Sequence, residues 1–232
     1  MSQIENSVSS IDLTNKSVLL RVDFNVPLKG SELLDDERLI RSLPTINLIA
    51  QKAKSLKIIS HLGRPEETGL VQDKFSLKPV AKKLAELLGK EVKLVNSLKE
   101  LKSLENISML ENIRFYKGEK QNEDNLSQAL AETADVFVMD AFGTAHRKQA
   151  STYGVTEFVK EACVGLLVEE ELMALKKIID SPEKPLLGII GGSKISTKMK
   201  ILKSLTNHVD QLIIGGALAN TCFKALGKNI GK

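Results

Sequence analysis

The sequence predicts an α/β fold built on a parallel sheet, and three observations carry that prediction. Short apolar runs of strand length alternate with longer segments of helical period, the pattern of parallel strands joined by helices. The runs are apolar enough to read as buried strands. Several of them end at a basic or polar group, where a sheet of this kind meets its ligands.

The strand runs, in order, are SVLLRV (17–22), LKIISHLG (56–63), VKLV (92–95), ISMLENI (107–113), DVFVMDAFG (135–143), PLLGIIGG (185–192) and QLIIGG (211–216). The first helix is expected over 37–55, with Asp35 or Asp36 as its N-cap, and Pro44 should kink or divide it. The second, 77–89, places Val80, Leu84, Leu87 and Leu88 on one face and stops at Gly89, a residue suited to a C-cap. Further helical segments are 125–134 and 168–180. The last of these is charged and amphipathic, and Pro182 and Pro185 follow it before a new strand–glycine–helix unit begins. Three regions result: a domain over 1–170, a connecting helix over 165–182, and the opening of a second domain over 185–232. That opening holds two strand units, too few to close a core of its own. The architecture expected is a three-layer α/β/α Rossmann-like first lobe followed by an incomplete second α/β lobe.

Composition excludes several functions. The net charge of +4 comes from lysines interspersed with glutamates rather than from a basic tail. Aromatics make up 4% and Trp is absent, which argues against a base-stacking surface and a nucleic-acid partner. No apolar run approaches the length of a membrane span, and the polar, acidic start MSQIENSVSS does not read as a signal peptide. Cys163 and Cys222 stand alone in apolar surroundings and read as buried free thiols of a reducing cytoplasm.

The polar strand ends form the first candidate site. Asp23 and Asn25 follow SVLLRV, His61 and Arg64 lie in KIISHLGRP, Arg114 in MLENIRF, Arg147 in VMDAFGTAHR, and Arg38 opens the first helix. Parallel strands bring these ends to one edge, where four arginines and a histidine would repel one another without an anion. A phosphate joined to a carboxylate supplies that charge, with Asp23 and Asn25 left to bind its hydroxyl groups. The competing interpretation is that each arginine pairs with a surface carboxylate. Arg21 lies inside the strand and reads as structural, partnered by a carboxylate; His146 reads as a packed, hydrogen-bonded histidine.

The second candidate site is PLLGIIGGSKISTKMK, where a strand meets Gly191-Gly192 and passes into a helix bearing Lys194 and Lys198. Glycines admit a phosphate to the backbone, a helix start offers free N–H donors, and lysines four apart share a face. The spacing of neither a Walker A loop nor a dinucleotide-binding G-x-G-x-x-G is present. Gly215-Gly216 repeats the design, with close strand–helix packing as its alternative explanation.

Together LLRVDFNVP, SHLGRP, LENIRFYKGEK, VMDAFGTAHRKQAST, GGSKISTK and LIIGGALANTC resemble the phosphoglycerate kinase family, in its order and over nearly the whole chain. The resemblance implies reversible phosphoryl transfer between 1,3-bisphosphoglycerate and ADP, giving 3-phosphoglycerate and ATP, with Mg2+ carried on the nucleotide and no resident metal or prosthetic group. It implies that Asp23, Phe24, Asn25, Arg38, His61, Leu62, Gly63, Arg64, Arg114 and Arg147 form the 3-phosphoglycerate site. Arg38 and Lys194 would attend the transferring group, while Lys198, Gly191, Gly192, Gly215 and Gly216 would meet the nucleotide. It further implies a cytoplasmic enzyme, monomeric at full length. Family members are nearly twice as long, so this chain alone is expected to bind phosphoglycerate without turnover. A non-catalytic phosphoglycerate-binding lobe is the alternative.

Overall fold

The computed structural model describes residues 6–180, 182–193, 196 and 198–231. Residues up to Glu171 form one compact unit and those from Leu172 onward a second.

The first unit is organised by β1 (Ser17–Val22), whose residues after Ser17 are all buried. A short hairpin, β2 (Leu28–Lys29) and β3 (Glu32–Leu33), leads to α1 (Glu37–Lys52). Then come β4 (Ser55–Ile59), α2 (Lys78–Leu88), β5 (Lys93–Val95), α3 (Leu98–Ser103) and β6 (Ile107–Leu110). The unit continues with α4 (Asp124–Ala131), β7 (Val136–Asp140), the one-turn α5 (Phe142–Ala145), a π turn (Ala150–Gly154), α6 (Val155–Phe158) and β8 (Glu161–Val164). Helix α7 (Leu166–Asp180) follows.

The strands form one six-stranded sheet in the order β5-β6-β4-β1-β7-β8, all pairs parallel. The three-layer α/β/α architecture follows from the alternation of side chains along β1. Val18, Leu20 and Val22 enter a core closed by Leu39, Ile46 and Ile49 of α1 and Val80 and Leu84 of α2. Leu19 points the other way, into a core closed by Leu101, Leu126, Leu130 and Val155. Gly89 ends α2 in the left-handed conformation at φ 61°, as its position in the sequence anticipated.

The root of α7 is tied to the sheet. Asp140, at the end of β7, accepts from the Leu167 and Val168 amides at 3.0 and 3.2 Å, and Thr45 Oγ1 accepts from the Leu166 amide at 3.0 Å. A carboxylate at a helix start satisfies orphan N–H groups and complements the dipole. Gly165 makes room for it, since a Cβ there would lie 2.3 Å from Asp140 Oδ1.

The second unit pairs β9 (Leu187–Gly191) with β10 (Gln211–Gly215) in parallel and adds α8 (Met199–Leu205) and α9 (Ala217–Ala225). Ile190, Leu202 and Leu218 form its small core. The other face of the strand pair leaves Ile189 72% and Ile213 50% exposed.

Four expectations are corrected. Pro44 does not divide α1, which runs unbroken because Leu39, Ile46 and Ile49 on either side of it are held in the core. Lys198 is not within a helix: it is the N-cap residue of α8, preceded by a Ser-, Ile- and Thr-containing stretch of weak helix propensity. Cys163 is buried, but Cys222 is half-exposed on α9, where its neighbours cover it only in part. His146 is exposed, because the single turn of α5 ends there at the surface.

Candidate functional site

Strand order reverses at β1. The chain moves from it to β4 on one side, then crosses to β7 on the other, and the carboxyl ends of β1 and β7 therefore flank a crevice of the type that receives ligands in open α/β sheets. A cavity of about 340 Å3 opens there, lined by Asp23, Arg38, Ser42, Asp140, Phe142 and Gly143 among others. A cavity of about 370 Å3 lies at the opposite, amino edge, but two of its lysines are already neutralised: Lys54 meets Glu105 at 2.7 Å and Lys93 meets Glu100 at 3.4 Å.

Asp23 leaves β1 and forms an ion pair with Arg38 in the first turn of α1. Its other oxygen accepts from the Asn25 amide at 3.2 Å. Asn25 Oδ1 accepts from the Gly63 amide at 2.8 Å, which joins the loop after β1 to the loop after β4 and leaves the Asn25 side-chain NH2 without a protein acceptor among the described residues. Gly63 adopts φ 61°, and a Cβ there would lie 2.6 Å from the Phe75 ring, so both conformation and space require glycine.

The sheet end is fixed from within by Asn112. Its Oδ1 accepts from the Leu62 and Arg114 amides at 3.2 and 3.1 Å, while its Nδ2 donates to the Leu62 carbonyl at 2.8 Å. Arg114 donates to the Gly63 carbonyl, and its buried Nε has no hydrogen-bond partner among the described residues. Burial, and after it Arg147, pulls the Arg114 pKa down.

His61 is 2% exposed, and its Nδ1 lies 3.2 Å from Arg21 Nη2. Guanidinium only donates, so Nδ1 accepts and the imidazole is neutral with its proton on Nε2. Burial, reinforced by Arg21, Arg114, Arg147 and Arg38, holds its pKa down at about 2. Its 3.9 Å approach to Asp23 is consequently not an ion pair. Burial likewise lowers Arg21 to about 10. Arg21 Nε donates to Ser151 Oγ at 3.1 Å, and Ser151 Oγ donates to Glu119 at 2.6 Å, so the carboxylate expected beside Arg21 is reached through a serine.

The structure thus brings Asp23, Asn25, Arg38, His61, Gly63, Arg114 and Arg147 to one edge, with Arg64 exposed beside them. Among the described residues, only Arg38 of these arginines forms an ion pair with a carboxylate. Phe24 and Leu62 turn their side chains into the core; the Phe24 amide donates to Ser60 Oγ at 2.9 Å. Ser151, Glu119 and the role of Asn112 escaped sequence reasoning. Their trace in the sequence is that they lie within LENIRFYKGEK and VMDAFGTAHRKQAST, read there only as parts of longer motifs.

In the second unit, Gly191, Gly192, Gly215, Gly216 and Lys198 adjoin one another. Lys198 Cε would lie 2.7 Å from a Cβ on Gly192, so that side chain crosses the glycine. Gly216 (φ 65°) approaches Gly192, whose carbonyl accepts from the Leu218 amide at 2.9 Å. Gly216 is thus packed close against Gly192, and one N–H at the start of α9 is already engaged. Lys194 lies outside the described residues. Among the described residues, no group of three His, Cys, Asp or Glu side chains is arranged to hold a metal ion, and no helix is long and apolar enough to cross a membrane.

A parallel sheet with guanidiniums gathered at its switch point is an open α/β fold with a cationic crevice. Similarity to known proteins gives its family. The family model described as phosphoglycerate kinase matches residues 8–232. The curated phosphoglycerate kinase of Coxiella burnetii is 47% identical over 227 residues, and that of Francisella philomiragia 47% over 229, each alignment covering 97% of this chain. Among solved structures, phosphoglycerate kinase from Coxiella burnetii matches with a TM-score of 0.85 and 49% identity, covering 97% of this chain and 58% of that one. The enzyme from Pyrococcus horikoshii matches with a TM-score of 0.83 and 28% identity, covering 98% and 59%. This chain belongs to the phosphoglycerate kinase family. It spans 58% of the length of the curated relatives it matches.

Proposed function

We propose that the crevice at the β1–β7 switch point binds 3-phosphoglycerate and 1,3-bisphosphoglycerate, and that the protein takes part in reversible phosphoryl transfer between the latter and Mg-ADP, a step of glycolysis. One observation carries this: the guanidiniums of Arg21, Arg38, Arg114 and Arg147 gather around His61 at the crevice, and among the described residues only that of Arg38 is ion-paired.

The acceptor in the ATP-consuming direction is a carboxylate, ionised at neutral pH, so no general base is required. His61, neutral and with its Nδ1 engaged by Arg21, serves as a hydrogen-bonding wall rather than a proton carrier. Arg64, Arg114 and Arg147 clamp the phosphate that does not transfer, while Asp23 and the free NH2 of Asn25 meet the hydroxyl and carboxylate end. We assign Arg38 and Lys194 to the charge that spreads over the equatorial oxygens as the phosphoryl group moves, where catalysis is positioning and electrostatic stabilisation. Gly191, Gly192, Gly215, Gly216 and Lys198 face the nucleotide phosphates, and Mg2+ arrives on the nucleotide as part of that substrate. We assign the domain limits as a 3-phosphoglycerate domain over 1–170, a hinge helix over 165–182 and a nucleotide domain from 185. A cytoplasmic, monomeric enzyme is the matching cellular form, and the free thiols of Cys163 and Cys222 support the reducing compartment.

Titration calorimetry of the 232-residue chain with 3-phosphoglycerate tests the proposal. Binding that weakens as salt is added is expected. An absence of binding heat at all temperatures tried, or binding untouched by Arg64→Ala and Arg147→Ala together, would overturn it.

A further inference from the structure

Glu119 is fully buried, and among the described residues its side chain hydrogen-bonds only to Ser151. Ser151 takes up both of its carboxylate oxygens: Oε1 accepts from Ser151 Oγ at 2.6 Å and Oε2 from the Ser151 amide at 3.0 Å. The Glu119 carbonyl accepts from the Ala150 amide at 3.0 Å. Two branches leave this root. In one, Ser151 Oγ has given its only proton to Glu119 and must accept from Arg21 Nε at 3.1 Å; Arg21 in turn donates to His61 Nδ1 at 3.2 Å. In the other, the π turn Ala150–Gly154 is held in place, and within it Thr152 Oγ1 donates to the Arg147 carbonyl at 2.6 Å. Gly154 closes the turn by donating to Asn122 Oδ1 at 2.9 Å.

We propose that Glu119 is a positioning residue for the phosphate crevice: through Ser151 it fixes Arg21 and hence His61, and through the Ala150–Gly154 turn it fixes the segment that delivers Arg147. This rests on the anion site proposed above. Every hydrogen bond in the chain has one allowed direction. A carboxylate can only accept, the serine must then accept from arginine, and the imidazole must accept at Nδ1. One buried carboxylate therefore dictates the donors presented at the crevice, which is preorganisation of the kind that saves reorganisation on binding. Burial pushes the Glu119 carboxyl up, and Arg21 and the two Ser151 bonds oppose that shift.

The sign of one mutation separates positioning from mere charge. A negative group behind an anion site repels the ligand, so if Glu119 acted only as a charge its removal would tighten binding. If it acts by positioning, removal weakens binding. Glu119→Gln is expected to weaken 3-phosphoglycerate about tenfold in calorimetry of the 232-residue chain, the scale of one charge-assisted hydrogen bond. Ser151→Ala leaves the charge unaltered and should weaken it about fivefold on the same scale. The double variant should be no weaker than Glu119→Gln, because both act through one path. In chain labelled with 15N-histidine, either variant should move the His61 Nδ1 resonance toward that of an unbonded acceptor. Tighter or unchanged binding by Glu119→Gln would overturn the proposal, as would a Ser151→Ala chain with native affinity and an unmoved His61 signal. If Glu119→Gln does not fold, Ser151→Ala decides alone. Failure of the wild-type chain to bind 3-phosphoglycerate removes the anion site itself, whereas wild-type binding with indifferent variants removes only the role given to Glu119.

Discussion

The two units build the carboxyl ends of their strands from different materials. In the first, the strand ends carry side chains, and Arg21, His61 and Glu119 are almost wholly inside a sheet covered on both faces. In the second, the strand ends are bare backbone: Gly191-Gly192 and Gly215-Gly216 lie against each other, and Ile189 and Ile213 face outward from a two-stranded sheet. Burying a charge is costly without partners, and partners hold their geometry only in a closed core. The first unit has that core and can keep directional side-chain networks at its edge. A glycine turn needs no such support, since its donors are fixed by the backbone.

Core truncation should test this contrast most strongly. Ile58→Ala, at a fully buried position of β4, should cost about 4 kcal/mol in denaturant unfolding. Ile213→Ala, at a residue 50% exposed, should stay within about 0.5 kcal/mol. Equal costs would mean that the outer face of the second unit is covered in solution. Next in size is ligand binding. Arg114→Ala should weaken 3-phosphoglycerate by about 2 kcal/mol in calorimetry, the range for hydrogen bonds to charged groups, and Lys198→Ala should not change it. A comparable loss from Lys198→Ala would break the assignment of substrate to the first unit.

A pH effect of similar size belongs to the first unit. His61 titrates near 6.5 when unfolded and near 2 when folded. Between those values the unfolded chain binds a proton that the native chain does not, so stability is complete above 6.5 and declines as pH falls. At pH 5 the loss from this group is about 2 kcal/mol. Unfolding free energies at pH 7.5 and 5 should therefore differ less for His61→Gln than for wild type; identical differences would show that the imidazole is protonated in the fold. A smaller loss is expected from Gly216→Ala. Its φ of 65° disfavours a side chain, and the new Cβ would stand 3.4 Å from the Gly192 carbonyl oxygen. About 1 kcal/mol should be lost, seen as faster hydrogen exchange in β9 and β10 with β1, β4 and β7 unaltered.

What could be foreseen follows the same division. Continuous apolar runs marked β1, β4, β6 and β7, and their polar ends identified the crevice, because strand direction alone brings those ends together. The hairpin β2–β3 and strand β8 carry no such mark: EACV is short, begins with a charge and gains its identity only by pairing with β7. Glu119 was hidden for a related reason. In KGEKQNED it looks like one more surface charge, and its burial is imposed by a turn 31 residues further on, through Ser151. Pro44 misled because local propensity argued for a break, whereas flanking core contacts decided for continuity.

The tie between Asp140 and the root of α7 also constrains how this sequence can change over generations. No side chain fits at position 165 while the carboxylate occupies the space beside it, so position 140 must change first. Yet any replacement of Asp140 that shortens it or removes its acceptor oxygen strands the Leu167 and Val168 amides. The permissive step is thus itself harmful, and neither order of substitution is open. The two positions are locked as a pair, and a lineage can leave that state only by rebuilding the start of the helix as well.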